Sequence, residues 1–255
     1  MWGQVDVTRQ FRKPVVPSGK YQNLQRRGSM KIPKFIMISC FVVSLFVVSV
    51  AQGADQKVEA QAIVDKSVAL VNSFGADSDL EWFRKKVKDA KALLVIPQSI
   101  KGAFFVGGSG GSGALVVQDG NTGKWGYPAF YTLGSISVGL QVGGEASEVV
   151  LMVMTDRGME SLLTSSFKLG ADATFAAGPV GGGATAQTAD ILSYSRSKGA
   201  FVGMSLDGAV IKTKDKFNAA YYGKTVSPTD IIVRQSAINP DADALRAAVA
   251  QLTTQ

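Results

Sequence analysis

"FVGGSGGSGAL", residues 105–115, contains five glycines in eleven residues. It contains G-x-G-x-x-G (Gly108, Gly110, Gly113), the spacing of a dinucleotide-binding turn, and G-x-S-x-G around Ser109, the spacing of a serine hydrolase elbow. The first motif needs a helix directly after its last glycine, whereas residues 114–117 are apolar and typical of a strand. The second needs a histidine base, and the chain has no histidine. We therefore interpret the tract as backbone packing, in which its glycines bend and pack strands.

Short apolar segments with strand character surround this tract. They are residues 93–96, which we expect Pro97 to end, and 103–106, 114–117, 136–142, 148–154, 171–177, 191–197, 199–205 and 209–211. Turn residues separate several of them, notably residues 119–123. Of the 28 glycines, 22 lie between Gly102 and Gly208, and this density predicts a tightly curved, mainly antiparallel sheet or barrel.

Helices are predicted at the start, in the middle and at the end of this region. Residues 54–74 have helical periodicity, and residues 80–94 place apolar side chains at spacings of three and four. Thr155 and Asp156 are suited to capping a helix over residues 157–164. Ser227-Pro228 starts another helix, and residues 239–250 form the last. The fold class is therefore α+β: a glycine-rich curved sheet or barrel with N-terminal, central and C-terminal helices.

The first 53 residues have the character of a leader. Residues 30–34 are basic and precede an apolar run at residues 35–50, followed by small residues, so residues 30–53 are predicted to be a signal peptide. Residues 1–29 are interpreted as a mis-assigned upstream extension, and residues 54–255 as one domain. A retained membrane anchor is the alternative. The sequence thus predicts an exported protein, periplasmic or secreted.

The charge of the predicted mature domain is balanced. Of 27 basic and 20 acidic residues, eight basic and one acidic lie in residues 1–53, which leaves 19 of each sign. The net charge of +7 therefore comes from the leader, and we predict no nucleic-acid partner. The only cysteine is Cys40, in the leader, so no cofactor or metal held by cysteine or histidine is expected.

Other residues capable of catalysis give weak patterns. Ser165 and Lys168 match the S-x-x-K spacing of a serine–lysine dyad, but the accompanying S-D-N and K-T-G motifs are missing. The nearest acidic pairs are Glu145 with Glu148 and Asp77 with Asp79. We interpret the first pair as turn charges and the second as helix capping, and we predict no catalytic residues. A hydrolase using Ser165 and Lys168 stays as a minor alternative.

The segment "EWFRKKVKDAK", residues 81–91, carries the binding hypothesis. Arg84, Lys88 and Lys91 have the spacing i, i+4, i+7, so we expect them on one face of a helix. Lys85 and Lys86 flank the apolar stripe, Lys101 extends the basic patch, and Trp82 or Phe83 is suited to the acyl boundary of a bilayer. A basic amphipathic helix of this kind binds anionic membrane surfaces. The alternative is a helix that packs on the sheet with its lysines in water.

Several long blocks resemble the SYLF lipid-binding domain family. They are "DAKALLVIPQSIKGAFFVGGSGGSGALVVQD", "KWGYPAFYTLGSISVGLQVGGEASEVVLMVMTDRGMESLL", "SSFKLGADATFAAGPVG" and "ILSYSRSKGAFVGMSLDGAVI", within residues 60–234. The resemblance implies a non-catalytic domain that binds membrane lipids, phosphoinositides in eukaryotic members, some of which also bind actin. It assigns lipid contact to a basic helix near the domain start, here Arg84, Lys85, Lys86, Lys88 and Lys91. Bacterial members resembling this chain are small exported proteins.

The resulting prediction is peripheral binding of anionic membrane lipid by an exported SYLF-like domain. The lipid contacts are assigned to Trp82, Arg84, Lys85, Lys86, Lys88, Lys91 and Lys101. An exported protein would meet phosphatidylglycerol or cardiolipin rather than phosphoinositides or actin. The alternative is a structural or protein-interaction module of the envelope that does not bind lipid.

Overall fold

The computed structural model describes residues 34–103, 106–138, 143–178, 188–197, 200–201, 206 and 208–254. For residues 34–53 only the backbone is described. The chain divides into two units, Met1–Leu45 and Phe46–Gln255, and the sheet lies in the second. Among the residues whose side chains are described, no helix is long and apolar enough to cross a membrane. The predicted upstream extension and the side chains of the predicted signal peptide lie outside this description, so both stay predictions.

Six α-helices occur in the described residues. They are α1 Lys34–Ala76, α2 Glu81–Val87, α3 Asp156–Leu163, α4 Asp215–Tyr222, α5 Pro228–Ile232 and α6 Asp243–Thr254. Short 3-10 helices at Ser78–Leu80 and Pro240–Ala242 precede α2 and α6. The predicted helix starts are confirmed where a side chain caps them. Thr155 Oγ1 accepts a hydrogen bond from Gly158 N, and Ser227 and Asp230 form a capping box at α5.

Nine strands of the described residues form one sheet. They are β1 Ala92–Ala103, β2 Val106–Val117, β3 Ala129–Val138, β4 Gly143–Val153, β5 Ser166–Lys168, β6 Phe175–Ala177, β7 Ile191–Ser197, β8 Ala200–Phe201 and β9 Val210–Thr213. The order across the sheet is β5-β9-β3-β2-β1-β4-β7-β6, with β8 paired to β7. All pairs are antiparallel except β6 with β7. The predicted α+β class with a mainly antiparallel sheet is confirmed.

Pro97 does not end a strand, contrary to the prediction. Strand β1 continues to Ala103, and its pairing with both neighbours shifts register around this proline. The shift is a β-bulge, a position where the missing N–H of proline leaves no ladder hydrogen bond unmade. Proline does interrupt the regular pairing of β1, as its sequence signal indicates, but β1 continues on both sides of the bulge.

The glycine tract was predicted to bend and pack strands; it is itself part of strand β2, and two of its glycines lie against this bulge. A Cβ atom added at Gly111 would lie 2.4 Å from Gln98 O, and one added at Gly113 would lie 2.5 Å from Val95 O. No larger residue fits there without moving the backbone of β1. The glycines of this central strand therefore accommodate the bulge, and neither a dinucleotide nor a catalytic serine is needed to explain them.

The sheet has an apolar core on each face. The first core lies between the sheet and α1, α2, α4 and α6, and includes Phe74, Phe83, Phe130, Tyr194 and Leu245. The second core lies on the opposite face with α3 and α5, and includes Leu94, Ile96, Tyr131, Leu162 and Ile231. Strand alternation separates the two, since Val95 is in the first core and its neighbours Leu94 and Ile96 are in the second.

Candidate functional site

Helix α2 is shorter than the sequence predicted. It ends at Val87, and the chain tightens there into i to i−3 hydrogen bonds, from Asp89 N to Lys86 O (3.0 Å) and from Ala90 N to Val87 O (3.2 Å). Lys91 then joins the sheet, because its N–H donates to Val153 O at 2.8 Å. Lys88 and Lys91 therefore lie beyond the helix, and the expected helical face shared by Arg84, Lys88 and Lys91 is not present.

The apolar side of α2 is packed into the first core. Phe83 and Val87 are buried, and the Phe83 ring makes edge contacts with Phe74 (5.6 Å between centroids) and Tyr194 (5.0 Å). Phe83 thus belongs to the core. Trp82 is half-buried, with its ring 6.4 Å from that of Tyr194 and the Lys86 ammonium 5.9 Å from its centroid. Trp82 is the aromatic side chain of this helix that keeps an exposed edge.

Most of the predicted lipid-binding cations have partners within the protein. Lys85 pairs with Glu81 at 2.5 Å, Lys86 with Asp89 at 3.5 Å, and Lys91 with Asp156 at 2.7 Å. Arg84 Nη1 donates to the carbonyl oxygen of Asp77. Lys88 is exposed and has no ion pair among the described residues. The hydrogen bond and charge of Lys85 hold the pKa of Glu81 below its usual value, so Glu81 is ionised at neutral pH.

The local charge balance is consequently modest. Residues 77–91 contain five basic and four acidic side chains, a net charge of +1. The ion pairs are nevertheless exposed: the side chains of Lys85 and Glu81 are 71% and 69% accessible. Exposed pairs contribute about 0–1 kcal/mol each, so water or another anion can replace the carboxylate at little cost.

Lys101 does not extend the basic surface of α2. It pairs in register with Glu145 of β4. Glu145, at every second position with Ser147 and Val149, lies on the face of the sheet that carries the second core. Helix α2 packs on the other face, in the first core. Of the predicted site residues, the structure brings Lys86 to the ring of Trp82, with Arg84, Lys85 and Lys88 on the same short segment, and it places Lys101 on the other face of the sheet.

The minor catalytic alternatives are not assembled. Ser165 and Lys168 are three residues apart at strand β5, a spacing that directs side chains of an extended segment to opposite faces. No described hydrogen bond joins their side chains. Ser109 Oγ is 2.7 Å from Ser135 Oγ. Among the described residues, no cluster of three or more aspartate, glutamate, histidine or cysteine side chains is able to hold a metal ion.

Sequence reasoning missed a site centred on Arg196 of β7. Arg196 Nε and Nη2 each lie 2.7 Å from Glu148 Oε2, Nη2 donates to Ser73 Oγ at 2.9 Å, and Nη1 is 3.7 Å from Asp77 Oδ2. Its guanidinium carbon is 5.1 Å from the centroid of the Phe74 ring. One side chain thus links α1, the turn before α2, and strands β4 and β7. The available signal was a lone arginine at an inward position of a strand that is otherwise buried.

A cleft of about 700 Å³ lies beside this arginine. It is bounded by α1 on one side and by the bulge of β1 and strands β4 and β7 on the other. Its lining combines small or apolar residues, among them Ala69, Leu70, Pro97 and Ala146, with the polar side chains of Lys66, Ser73, Gln98, Glu148 and Arg196.

A family model matches the second half of the chain. Residues 134–252 match Ysc84, described as "Las17-binding protein actin regulator". The match begins within β3, so α2, β1 and β2 lie before it.

Curated relatives support the same relationship. Over 152 residues the chain is 30% identical to SH3 domain-containing YSC84-like protein 1 of Homo sapiens, covering 57% of this chain and 44% of the relative. It is 31% identical over 160 residues to SH3 domain-containing protein PJ696.02 of Schizosaccharomyces pombe, covering 60% and 37%. It is 28% identical over 180 residues to Protein YSC84 of Saccharomyces cerevisiae, covering 68% and 38%. In each case the matched region is less than half of the relative.

The fold is an α+β domain in which helices pack on both faces of a curved, mainly antiparallel sheet. Residues 134–252 match the Ysc84, or SYLF, family model, and the resemblance to this family stated from the sequence is confirmed. The relatives are named as SH3-linked and actin-regulatory proteins, which are classes of binding protein rather than of enzyme.

Proposed function

We propose that this domain is a non-catalytic module that binds anionic phospholipid membrane surfaces peripherally. The observation that carries the proposal is the run of Lys85, Lys86 and Lys88 at the end of α2, where the Lys86 ammonium lies 5.9 Å from the half-buried ring of Trp82. Lysine ammonium groups attract phosphate head groups, and an indole with one exposed edge suits the boundary between head groups and acyl chains.

The intramolecular ion pairs set the strength of this binding. Each lysine near an anionic surface contributes about 1 kcal/mol, and breaking an exposed ion pair costs up to about as much. Lys88, which has no ion pair among the described residues, therefore contributes most per residue, whereas Lys85 and Lys86 must first exchange a carboxylate for a head group. The expected binding is weak, reversible and sensitive to salt.

Flotation of residues 54–255 with vesicles tests the proposal. Phosphatidylglycerol vesicles are expected to carry the protein upward at low salt, and phosphatidylcholine vesicles are not. Lys85→Glu/Lys86→Glu/Lys88→Glu should abolish flotation. The matched control Lys57→Glu/Lys124→Glu/Lys216→Glu reverses three exposed lysines elsewhere, so it changes net charge equally. Equal losses in the two triple variants would show that total charge, and not this cluster, governs binding.

Protein binding is the second candidate, and the existing ion pairs of the cluster favour it. Cations already matched to carboxylates present a charge-balanced surface, which suits a protein partner of mixed charge better than a uniformly anionic membrane. The family description names a protein partner, Las17, for members of the family. If the domain floats with none of the anionic vesicles tested, that result favours a protein partner in the envelope over lipid binding.

We also propose that the protein is exported and meets the membrane from outside the cytoplasm. The basic and apolar sequence of residues 30–50 supports this. Mass determination of the protein made in a bacterial host tests whether the leader is removed. A mature chain that starts near Ala54 supports export, and a full-length chain in the cytoplasmic fraction contradicts it.

A further inference from the structure

The cleft between α1 and the sheet continues into an open apolar strip. Ala146, which lines the cleft, pairs in register with Ile100 of β1, and Ile100 pairs with Gly110 of β2. The same row crosses Gly134 of β3 and Val210 of β9, and beyond Val210 it reaches Lys168 of the edge strand β5. The part of the row from Ala146 to Val210, the apolar strip, lies on the face of the first core, because Ala146 and Val150 of that core point to the same face of β4.

The apolar strip is exposed although its residues are apolar. Ile100 is 57% and Val210 is 42% accessible, and both are among the large apolar side chains that the described part of the chain leaves exposed. Between them Gly110 and Gly134 present bare backbone, and a Cβ added at Gly134 would meet nothing within 4 Å. Contiguous exposed apolar surface that leads into a cleft is typical of a binding site.

The two cations that line the cleft, Lys66 and Arg196, differ in how far partners within the protein already engage them. Arg196 is engaged by Glu148, Ser73 and Asp77, so it forms part of the wall. Lys66 of α1 is exposed, lines the cleft, and has no described ion pair or side-chain hydrogen bond. Lys66 is therefore the cation available to a ligand, and a ligand that pairs with it must be anionic.

We propose that the cleft and the apolar strip bind one single-chain amphiphile with an anionic head group. The head group pairs with Lys66, and the hydrocarbon tail lies against Pro97, Ala146 and Ile100. The cleft volume of about 700 Å³ falls in the usual range for small-molecule sites. This inference goes beyond the proposed function, because it concerns one bound molecule on α1, β1 and β4 rather than a membrane surface at α2.

Calorimetry with dodecanoate and dodecyl phosphate, both below their micelle concentrations, tests the inference on residues 54–255. The two probes share a tail and differ in head group, so they distinguish a carboxylate ligand from a phosphate one. At least one of them is expected to bind with one molecule per chain. Dodecyltrimethylammonium, which has the same tail and a positive head, and acetate, which has no tail, are expected not to bind.

Variants locate the site. Lys66→Glu and Ala146→Trp are expected to weaken binding about tenfold or more, the first by reversing the charge and the second by filling the cleft. Lys57→Glu, on the same helix but outside the cleft lining, should bind as the unmodified domain does. Circular dichroism checks that each variant is folded, and Lys66→Glu changes an exposed side chain, so it remains informative if Ala146→Trp unfolds the domain.

The inference is overturned if neither anionic probe binds, if the cationic probe binds equally well, or if Lys66→Glu binds as the unmodified domain does. It is independent of the membrane proposal in this experiment. Lys85→Glu/Lys86→Glu/Lys88→Glu should keep its affinity for the soluble probe while losing flotation, and the reverse pattern is expected of Lys66→Glu.

Discussion

Arg196 and Glu148 face each other in register across β7 and β4, with Nε and Nη2 of the arginine both 2.7 Å from one carboxylate oxygen. The Arg196 side chain is 15% and that of Glu148 38% accessible, so the pair is largely withdrawn from water on one side. Charge-assisted hydrogen bonds in such a setting are stronger than exposed ones. The pair links strands β4 and β7 to α1, because Arg196 also donates to Ser73.

Replacing Arg196 with alanine should therefore lower the free energy of unfolding by about 2–3 kcal/mol, since Glu148 loses its cation and the link to α1 is broken. A double-mutant cycle of Arg196→Ala with Glu148→Ala should give a coupling energy of about 1–3 kcal/mol in urea denaturation. The exposed pair Lys85 and Glu81 is the control, and its expected coupling is clearly smaller because both side chains are surrounded by water. Equal coupling in the two cycles would contradict the central role given to Arg196.

Alanine at Gly111 or Gly113 should destabilise the domain by about 1–3 kcal/mol, because the added methyl group would enter the backbone of the β1 bulge. Gly134→Ala is the matched control in the neighbouring strand, where the methyl group enters open space and the change should be near zero. Thermal and urea unfolding of the three variants measure the difference. If Gly134→Ala is as destabilising as Gly111→Ala, backbone flexibility rather than close approach explains the tract.

Local signals predicted much of this fold. The bounds of β7 were predicted as residues 191–197 and are confirmed, because alternation and flanking turn residues act within a few positions. The caps Thr155 and Ser227 were also found, since a capping hydrogen bond joins residues two or three positions apart. Residues 114–117, which follow the glycine tract, were predicted as a strand for the same reason, and they belong to β2.

The predictions that were wrong concern positions where contacts between residues distant in sequence determine the structure. Pro97 has a strong local signal for a break, but β2 and β4 hold both halves of β1 in one sheet. Helix α2 is shorter than predicted, because the backbone N–H of Lys91 donates a hydrogen bond to Val153 O of β4 instead of continuing the helix. The Arg196 cluster could not be predicted, since its partners Ser73 and Glu148 come from separate elements that only the folded sheet brings together.

Acid should weaken the start of α5. Hydrogen bonds from the hydroxyl and backbone N–H of Ser227, and the guanidinium of Arg234, lower the pKa of Asp230 from 3.8 to about 2. A carboxyl whose pKa is depressed by folding stabilises the fold above its usual pKa, and this contribution is lost as the pH falls from about 4 to about 2. Asp230→Asn should therefore show a smaller loss of stability over that range than the unmodified domain, measured by urea denaturation at each pH.

The control for this titration is Asp55→Asn, an exposed carboxyl without a described hydrogen bond. Comparison with this variant separates the loss of one negative charge from the loss of the capping box. Ser227→Ala, which removes the hydroxyl donor, should raise the pKa of Asp230 toward its usual value in a carboxyl titration followed by NMR. An unchanged pKa in Ser227→Ala would contradict the assignment of the capping box as its cause.

Removing the carboxylates that pair with the α2 lysines should strengthen membrane binding. Glu81→Gln/Asp89→Asn frees Lys85 and Lys86 and raises the net charge of residues 77–91 from +1 to +3. If these lysines contact head groups, affinity for phosphatidylglycerol vesicles should rise about fivefold or more, since each freed lysine is worth up to about 1 kcal/mol. Asp55→Asn/Glu59→Gln removes two exposed negative charges from α1 and is the matched control, which should change affinity much less. A protein-binding role predicts no gain on vesicles in either variant, so an unchanged affinity of Glu81→Gln/Asp89→Asn would count against lipid contact at α2.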